Sequence, residues 1–513
     1  MTSLRTLPGL SRWNRAVVCL GLLPALVAGC SVLLDHERNQ CASDKDCEIF
    51  AGHPSCQAGV CMPSGLGPPG CFFGAPSASA EFANQCTTAD WVAFDNCARL
   101  GLCSPGAQPP AAIMPPVSGG GGTQPSPPPP PTLECIDSSR QVVVIGGSTA
   151  IQPFLSVVAP LIPGFQIVYQ PSGSCTGVDQ LFNPDAAKRA VKDIPGKAAL
   201  LFSPDGKLSQ PCTLSTQNGM PAPTIALDVA ASDVFASSCN ASYAVTEQGP
   251  IGEYFGPIQP MTFVVKSEAM EKSISAEMGH VVFGRGSADP SSSPYLDPTL
   301  YFVRNSGSGT QQMISRAINV DAGRWWGVDR GGSSQVRDLL EAVSATRANS
   351  AVGILSTDFT DPVRQQLRIL AFQATGQLAG FYPDSTVNTR DKRNVRDGHY
   401  AIWGPEHFFA ATPGGVPNAA AAALVTRFTL SRLDPSLLDA IIRSGLVPPC
   451  AMAVKRTSEM GPLEAYSPAA ACGCYFEATL PGGQAPASCK TCVGPADCPT
   501  DKPACNSGYC EAQ

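Results

Sequence analysis

Between residues 136 and 449, short apolar runs alternate with segments whose apolar residues recur at helical spacing. Gln141 to Ile145 is a β-branched run, and 150–161 then carries a helical pattern. Phe165 to Tyr169 is a second run of strand length, followed by glycine and another helical segment. A continuous apolar run between turn residues predicts a strand that is buried on both faces. This order predicts a mainly parallel α/β sheet with helices on both faces.

Three loops in this region place glycines and hydroxyl residues between a strand and a helix start. They are Gly146-Gly147-Ser148-Thr149, Ser172-Gly173-Ser174 and Arg304-Asn305-Ser306-Gly307-Ser308-Gly309-Thr310. Free backbone N–H groups and the positive end of the helix dipole favour anions at such positions. The pattern therefore predicts an anion site beyond the carboxyl ends of the strands.

Four motifs, in this order, resemble those of the phosphate-binding proteins of ABC transporters. They are Gly147-Ser148-Thr149, the segment from Tyr169 to Gln180, the segment from Asp228 to Asp233, and the segment from Val303 to Thr310. The resemblance implies an α/β, two-lobed periplasmic-binding-protein fold with a hinge and an interlobe ligand cleft, flanked in this chain by small disulfide-rich modules. It implies a binding protein rather than an enzyme, with no cofactor.

The resemblance also implies which residues would bind phosphate. These are Thr149, Ala150, Ser174, Asp233, Arg304, Ser308, Gly309 and Thr310. Arg304 would offer a planar fork of donors to a tetrahedral oxyanion. Asp233 would accept the proton of monohydrogen phosphate and repel sulfate, which has no such proton. The alternative role for Asp233 is that of a helix-capping or turn aspartate.

The sequence departs from the family pattern at three points that bear on the ligand. Ser306 stands where the family has an aspartate that restrains the arginine, and Ala150 stands where an aromatic residue is common. The spacing between Gln180 and Asp228 is several times that of the family. Within this insertion, Lys197 to Lys207 predicts a strand that enters a Pro-Asp-Gly turn.

The first thirty residues have the pattern of an export signal. A basic start precedes an apolar stretch from Ala16 to Val27, which is too short to span a bilayer. The stretch ends in a sequence that resembles the lipobox of bacterial lipoproteins, with Cys30 as the lipidated residue. Ser31 then favours the outer membrane within the bacterial cell envelope. An ordinary signal peptide followed by a disulfide cysteine is the alternative.

The cysteines divide into even sets along the chain. Of 22 cysteines, Cys19 and Cys30 belong to the signal region; eight lie in 41–103, four in 135–239 and eight in 450–510. Even sets in an exported chain predict disulfides within each region, including one at Cys175. The spacings from Cys472 to Cys492 leave zinc ligation as an alternative, although no metal is expected.

The chain is therefore expected to contain five segments. They are a signal peptide (1–29), a Cys-rich module (30–103), a Pro/Gly-rich linker (104–134), a periplasmic-binding-protein-like domain (135–450) and a Cys-rich C-terminal module (451–513). Both Cys-rich modules contain C-x5-C followed by C-x4-C, which indicates one disulfide-stapled unit used twice.

A net charge of −7 argues against a nucleic-acid partner. Common hydrolase, zinc-protease and P-loop motifs are absent from the sequence, and His399 and His407 have no evident acidic partner, so catalysis is not expected. The expected function is lipid-anchored binding of phosphate or a similar oxyanion, for an ABC permease or for sensing. The alternative is a Cys-rich interaction or adhesion lipoprotein whose binding domain has lost or changed its ligand.

Overall fold

The structure is a computed structural model, and it describes two compact units that divide between Leu66 and Gly67. The described residues are 41, 44–47, 55–57, 60–62, 66–104, 106–116, 131–162, 164–202, 209–246, 249–429, 434–483 and 485–512. The predicted signal peptide, Cys30 and the Pro-Asp-Gly turn lie outside them. Among the described helices, none is long and apolar enough to cross a membrane.

The smaller unit contains a 3-10 turn, Asp44–Cys47, and a hairpin of β1 (Ser55–Gln57) and β2 (Val60–Met62). A disulfide between Cys47 and Cys61 links the turn to the hairpin. The cross-link replaces the apolar core that so short a segment cannot form.

The larger unit alternates helices and strands. Its helices are α1 (Ser79–Ala83), α2 (Asn96–Leu100), α3 (Gln152–Val158), α4 (Ser174–Leu181), α5 (Ala236–Cys239), α6 (Ala276–Arg285), α7 (Gly309–Ala317), α8 (Ser333–Glu341), α9 (Thr357–Thr360), α10 (Arg393–Arg396), α11 (Ala419–Val425), α12 (Pro435–Arg443) and α13 (Gly473–Thr479). Its strands are β3 (Trp91–Val92), β4 (Glu134–Ile136), β5 (Val142–Gly147), β6 (Gln166–Gln170), β7 (Ala190–Val191), β8 (Ala199–Phe202), β9 (Ser209–Gln217), β10 (Met220–Pro221), β11 (Ile225–Ala226), β12 (Val229–Ser232), β13 (Ile251–Lys266), β14 (Ser273–Ser275), β15 (Tyr301–Val303), β16 (Val328–Asp329), β17 (Val352–Ser356), β18 (Leu367–Ile369), β19 (Ala371–Gln373), β20 (Gly380–Phe381), β21 (Trp403–Ala411), β22 (Val454–Lys455), β23 (Glu464–Ala465), β24 (Ala504–Asn506) and β25 (Tyr509–Glu511).

Most of these strands join one 13-stranded sheet. Its order is β10-β9-β8-β6-β5-β12-β21-β13-β17-β15-β16, with β18 on β13 and β4 on β9. Parallel strands β6-β5-β12 form the centre of a first lobe, and parallel strands β17-β15-β16 form the centre of a second. The long antiparallel strands β13 and β21 connect the two lobes. The predicted two-lobed α/β fold is therefore confirmed.

The sheet is mixed rather than mainly parallel. The insertion between α4 and β12 supplies β8, which pairs antiparallel with β6, and β9, which pairs antiparallel with β8. The strand predicted within the insertion is thus present, and it extends the edge of the first lobe.

The apolar run in β5 is buried as the sequence predicted. Val143 and Ile145 belong to a core cluster with α3 and α12 on one face, while Val144 belongs to the cluster on the other face. Because side chains alternate along a strand, a β-branched residue at every position fits a strand covered on both sides.

Within the larger unit, two cysteine-containing segments contact the second lobe. Residues 67–116 belong to the larger unit: β3 pairs with β20, and Ile113 donates its N–H to the carbonyl of Gly284 at 2.8 Å. The compact units divide at Leu66, and the predicted boundaries at 103 and 134 stay predictions. Glu477 of the C-terminal segment forms an ion pair with Arg396 of α10 at 2.7 Å.

The described disulfides all lie within the predicted sets. They join Cys47–Cys61, Cys71–Cys86, Cys97–Cys103, Cys135–Cys212, Cys175–Cys239, Cys450–Cys472, Cys474–Cys489, Cys492–Cys505 and Cys498–Cys510. The zinc alternative is wrong, because the C-terminal cysteines that it required are consumed in disulfides. The second and fourth cysteines of the repeated motif pair in both copies.

Candidate functional site

Four strand-to-helix loops meet between the lobes. In the first lobe, β5 leads through Thr149 to α3, and β6 leads to α4, which begins at Ser174. In the second lobe, Arg304 follows β15 and precedes α7, while Ser333 begins α8 after β16. The sequence predicted the first three loops and missed the fourth.

Arg304 is the central cation of this site. It is 3% exposed, and its Nη2 donates to Thr149 Oγ1 at 2.7 Å while its Nη1 donates to Ser333 Oγ at 3.0 Å. Its Nε donates to the carbonyl of Gly331. Burial lowers the pKa of Arg304, and the carboxylates of Asp233 and Asp329 oppose that effect. The guanidinium is therefore oriented by α8 and its preceding loop, although Ser306 supplies no carboxylate.

Ser174 and Gly309 bring the two lobes into direct contact. Ser174 Oγ accepts from the N–H of Gly309 at 3.2 Å and lies 3.4 Å from the N–H of Asp233. A Cβ on Gly309 would lie 2.4 Å from Ser174 Oγ and 2.6 Å from Asp233 Oδ2. Only glycine fits at this position in the closed arrangement. Cys175 also donates its N–H to the carbonyl of Gly307 at 3.0 Å.

Asp233 is a buried carboxyl beside these groups. It is 2% exposed, and its Oδ1 has no hydrogen-bond partner among the described residues. Burial raises the pKa of Asp233, whereas hydrogen bonds from Ser148 and Ser174 and the positive charge of Arg304 lower it. An unpartnered oxygen beside a buried arginine can accept a hydrogen bond from a protonated oxyanion.

The remaining predicted residues lie on the same loops. The Ala150 N–H donates to Ser148 Oγ at 3.0 Å, and the Ala150 carbonyl accepts from Gln259 Nε2 at 3.3 Å. Ser308 Oγ caps α7, whereas Thr310 Oγ1 is buried without a described partner. The structure thus brings the eight predicted residues together, but their role toward a ligand stays a prediction.

The structure also places residues at the site that the sequence did not assign to the ligand. Ser148 and Ser333 extend the hydroxyl lining, and two buried carboxyls, Asp358 and Glu406, lie behind Asp233. Ser333 could have been suspected from the Gly-Gly-Ser-Ser sequence, which is a strand-to-helix loop like the others. A single acid within an apolar run carries no comparable signal.

The two histidines do have acidic partners, contrary to the sequence interpretation. His407 Nδ1 lies 2.6 Å from Glu253 Oε1, and His399 Nδ1 lies 2.6 Å from Asp397 Oδ1. The partner of His407 comes from β13, the adjacent strand, so sequence distance concealed it. His399 is clamped between Asp397 and the carbonyl of Gln85, which its Nε2 contacts at 2.7 Å.

Solved structures with a similar fold are phosphate-binding proteins. An ABC-type phosphate transport receptor from Vibrio cholerae is 14% identical, covering 60% of this chain and 100% of its own, with a TM-score of 0.37. A phosphate-binding protein from Stenotrophomonas maltophilia is 13% identical, covering 60% of this chain and 90% of its own, with a TM-score of 0.35. A high-affinity periplasmic phosphate-binding protein bound with phosphate is 15% identical, with coverage of 60% and 90% and a TM-score of 0.41. No protein-family model and no curated protein sequence matches the chain.

Proposed function

We propose that the protein binds a tetrahedral oxyanion between its lobes, with monohydrogen phosphate as the leading ligand. The observation that carries the proposal is the buried guanidinium of Arg304, held at the meeting point of the α4, α7 and α8 N-termini. Helix N-termini and a planar fork of N–H donors both favour an oxyanion. Charge-assisted hydrogen bonds are strong in such a dry setting.

Asp233 supplies the proposed selectivity. As a carboxylate, it accepts the proton of monohydrogen phosphate and repels sulfate. Its unpartnered Oδ1 is available for that bond. The alternative role, a helix or turn cap, is not supported by its contacts, because its carboxylate accepts no backbone N–H among the described hydrogen bonds and its own N–H points to Ser174.

Calorimetry with phosphate and sulfate tests this function. Arg304→Ala should weaken phosphate binding by about 100-fold or more, since hydrogen bonds to charged groups contribute about 1.5–3 kcal/mol each. Arg347→Ala is the matched control, because Arg347 pairs with Asp297 on the surface. Absence of phosphate binding by the unmodified chain would end the proposal.

A second variant tests selectivity alone. Asp233→Asn removes the negative charge while keeping the shape of the side chain, so sulfate affinity should rise toward that of phosphate. If the Asn variant still excludes sulfate, Asp233 does not set the selectivity, and oxyanion binding itself is unaffected by that result.

We further propose that the protein works at the bacterial cell envelope, anchored through a lipid on Cys30 and serving an ABC permease or a sensor. The even cysteine sets and their disulfides support export. Mass spectrometry of the mature N-terminus should find a diacylglycerol on Cys30, and Cys30→Ser should release the protein from membranes. Genes for a permease and an ATPase beside this gene would favour uptake over sensing.

The contacts between the lobes favour one alternative function. Groups expected to bind an anion bind each other: Thr149 accepts from Arg304, and Ser174 accepts from Gly309. A domain that stays closed in this way suits a Cys-rich surface protein used for interaction or adhesion. In that case phosphate would produce neither heat nor a thermal shift.

A further inference from the structure

Two buried carboxyl groups beside the anion site have no counterion among the residues that the structure describes. Asp358 is 3% exposed and Glu406 is fully buried, and none of their four carboxyl oxygens has a hydrogen-bond donor among the described residues. Asp358 follows β17 in the second lobe, and Glu406 lies on β21 at the hinge. A buried carboxylate without a partner is costly, so these groups call for a specific explanation.

Their position places them next to Asp233. Ser232 pairs with His407 across the antiparallel β12–β21 ladder, so Asp233 and Glu406, the next residues along, face each other. Burial and the negative charge of Asp233 both raise the pKa of Glu406. Asp358 acts electrostatically on both.

We call the group formed by Asp233, Glu406 and Asp358 the acidic wall. A neutral hydrogen-bond acceptor lies next to it. Gln259 is 1% exposed, and its Nε2 donates to the carbonyl of Ala150 in the predicted phosphate loop, so its side chain lies at the site. Its Oε1 has no partner in the described structure. The surface behind the anion donors thus offers acceptors, and it is suited to a ligand group that donates hydrogen bonds.

Asp358 also lines a cavity that can hold more than a bare anion. The cavity measures about 380 Å³, within the usual range of about 300–1,000 Å³ for small-molecule sites. Its wall includes Pro153 at the start of α3, Gly445 after α12, and Phe476 of the C-terminal segment. Asp358 therefore belongs both to the acidic group around Asp233 and to the wall of this cavity, which also includes Arg390 and Arg443.

From these contacts we infer that the ligand carries a cationic amine beside its oxyanion, as an aminoalkyl phosphonate or phosphate ester does. The oxyanion occupies the Arg304 end, and the ammonium lies between Glu406 and Asp358. This inference rests on the proposed oxyanion function. A single metal ion does not suit the three carboxyls: in the described structure, the sets of three potential metal ligands that converge within 4.8 Å consist of cysteines.

Calorimetry on the full chain at neutral pH compares inorganic phosphate, ethylphosphonate and aminoethylphosphonate. We expect aminoethylphosphonate to bind at least about tenfold more tightly than ethylphosphonate, since a paired buried charge contributes more than about 1.4 kcal/mol. Its binding should also release protons, visible as a dependence of the heat on buffer ionisation, because an ammonium between Glu406 and Asp358 favours the ionised form of carboxyls whose pKa is raised by burial.

Variants separate the amine contact from the oxyanion contact. The ratio of aminoethylphosphonate to ethylphosphonate affinity should collapse in Glu406→Gln and in Asp358→Asn, and it should persist in the surface control Glu464→Gln. Equal affinity for the two phosphonates would overturn the inference while phosphate binding kept the proposed function intact. Tighter phosphate binding with Mg²⁺, without an amine preference, would also overturn it. If none of the three anions binds, both the amine inference and the proposed oxyanion function are wrong.

Discussion

Gly309→Ala tests whether the lobes must close for the ligand to bind. Gly309 begins α7 in the second lobe, and its nearest neighbours, Ser174 and Asp233, belong to the first. Because the added methyl group points across the gap between the lobes, it obstructs closure and leaves each lobe separately intact.

The size of the effect follows from the overlap. The new Cβ would lie 2.4 Å from Ser174 Oγ, where an ordinary contact begins at 3.4 Å, so the lobes must separate by about 1 Å. Overpacking of this kind costs about 1–3 kcal/mol. If the cost falls on the closed state alone, the affinity for phosphate should fall about 5- to 150-fold.

Calorimetry measures this loss, and thermal unfolding without ligand shows whether the fold is kept. Gly494→Ala is the matched control, because a Cβ there meets nothing within 4 Å. A Gly309→Ala protein that unfolds at the normal temperature and binds phosphate with unchanged affinity would show that binding does not need closure at this contact. The anion would then bind elsewhere, or closure would not involve this contact.

Two further predictions concern stability. Lys392 is 1% exposed and pairs with Asp361 at 2.8 Å and with Asp384 at 2.9 Å. Lys392→Met should therefore lower the free energy of unfolding, measured in urea, by about 3–5 kcal/mol. The surface control Lys455→Met should lower it by less than about 1 kcal/mol, and equal losses in the two variants would contradict the prediction. Burial raises the pKa of Asp358 and Glu406, so the folded state binds more protons than the unfolded state. The protein should therefore lose stability as the pH rises above the ordinary carboxyl pKa of about 4. Glu406→Gln should make this loss of stability smaller between pH 5 and pH 8, and an unchanged slope of stability against pH would contradict the prediction.

The local parts of the site were predictable from the sequence because short segments encode them. The β-branched run of β5 and the motif from Arg304 to Thr310 need only neighbouring residues to be recognised. The predicted strand at 141–145 corresponds to Val142–Gly147, and the predicted helix at 150–161 corresponds to Gln152–Val158 with a 3-10 turn after it. Periodicity located these elements to within one to two residues at most ends.

The acidic wall could not be predicted, because long-range pairing creates it. Glu406 sits in an apolar strand, and only the register of β21 against β12 brings it beside Asp233. Ser333 orients Arg304 from a helix that begins 29 residues downstream. Neither contact can be recognised from the sequence around the residues that make it.

The extended segment at 106–116 shows a different limit. Its proline-rich composition predicts a tether without a core of its own. In the structure, Ala111 accepts from Arg285 at 2.7 Å, and Ile113 accepts from Trp326 Nε1 at 3.2 Å. The segment is held by hydrogen bonds to its backbone carbonyls, and the second lobe supplies the donors. Its amino-acid composition therefore does not indicate that it packs on the domain.

The C-terminal segment links the two lobes beside the site, and this bears on how the cleft opens. Ala453 donates to the carbonyl of Arg396 in the second lobe at 2.9 Å, and the Arg456 guanidinium stacks 4.1 Å from the ring of Trp403 at the hinge. Glu459 Oε2 then accepts the N–H of Phe235, two residues after Asp233 in the first lobe, at 3.3 Å. The segment also contacts α12 of the first lobe, where Tyr475 Oη donates to Asp439 Oδ1 at 2.6 Å. A separation of the lobes would therefore strain the contacts that this segment makes on both sides, among them the bond to Phe235. A hydrogen bond to a charged group contributes about 1.5–3 kcal/mol, which is enough to shift the population toward the closed form without preventing exchange. Under the proposed oxyanion function, the C-terminal segment would favour the closed form and so raise ligand affinity, a role that a spacer would not have.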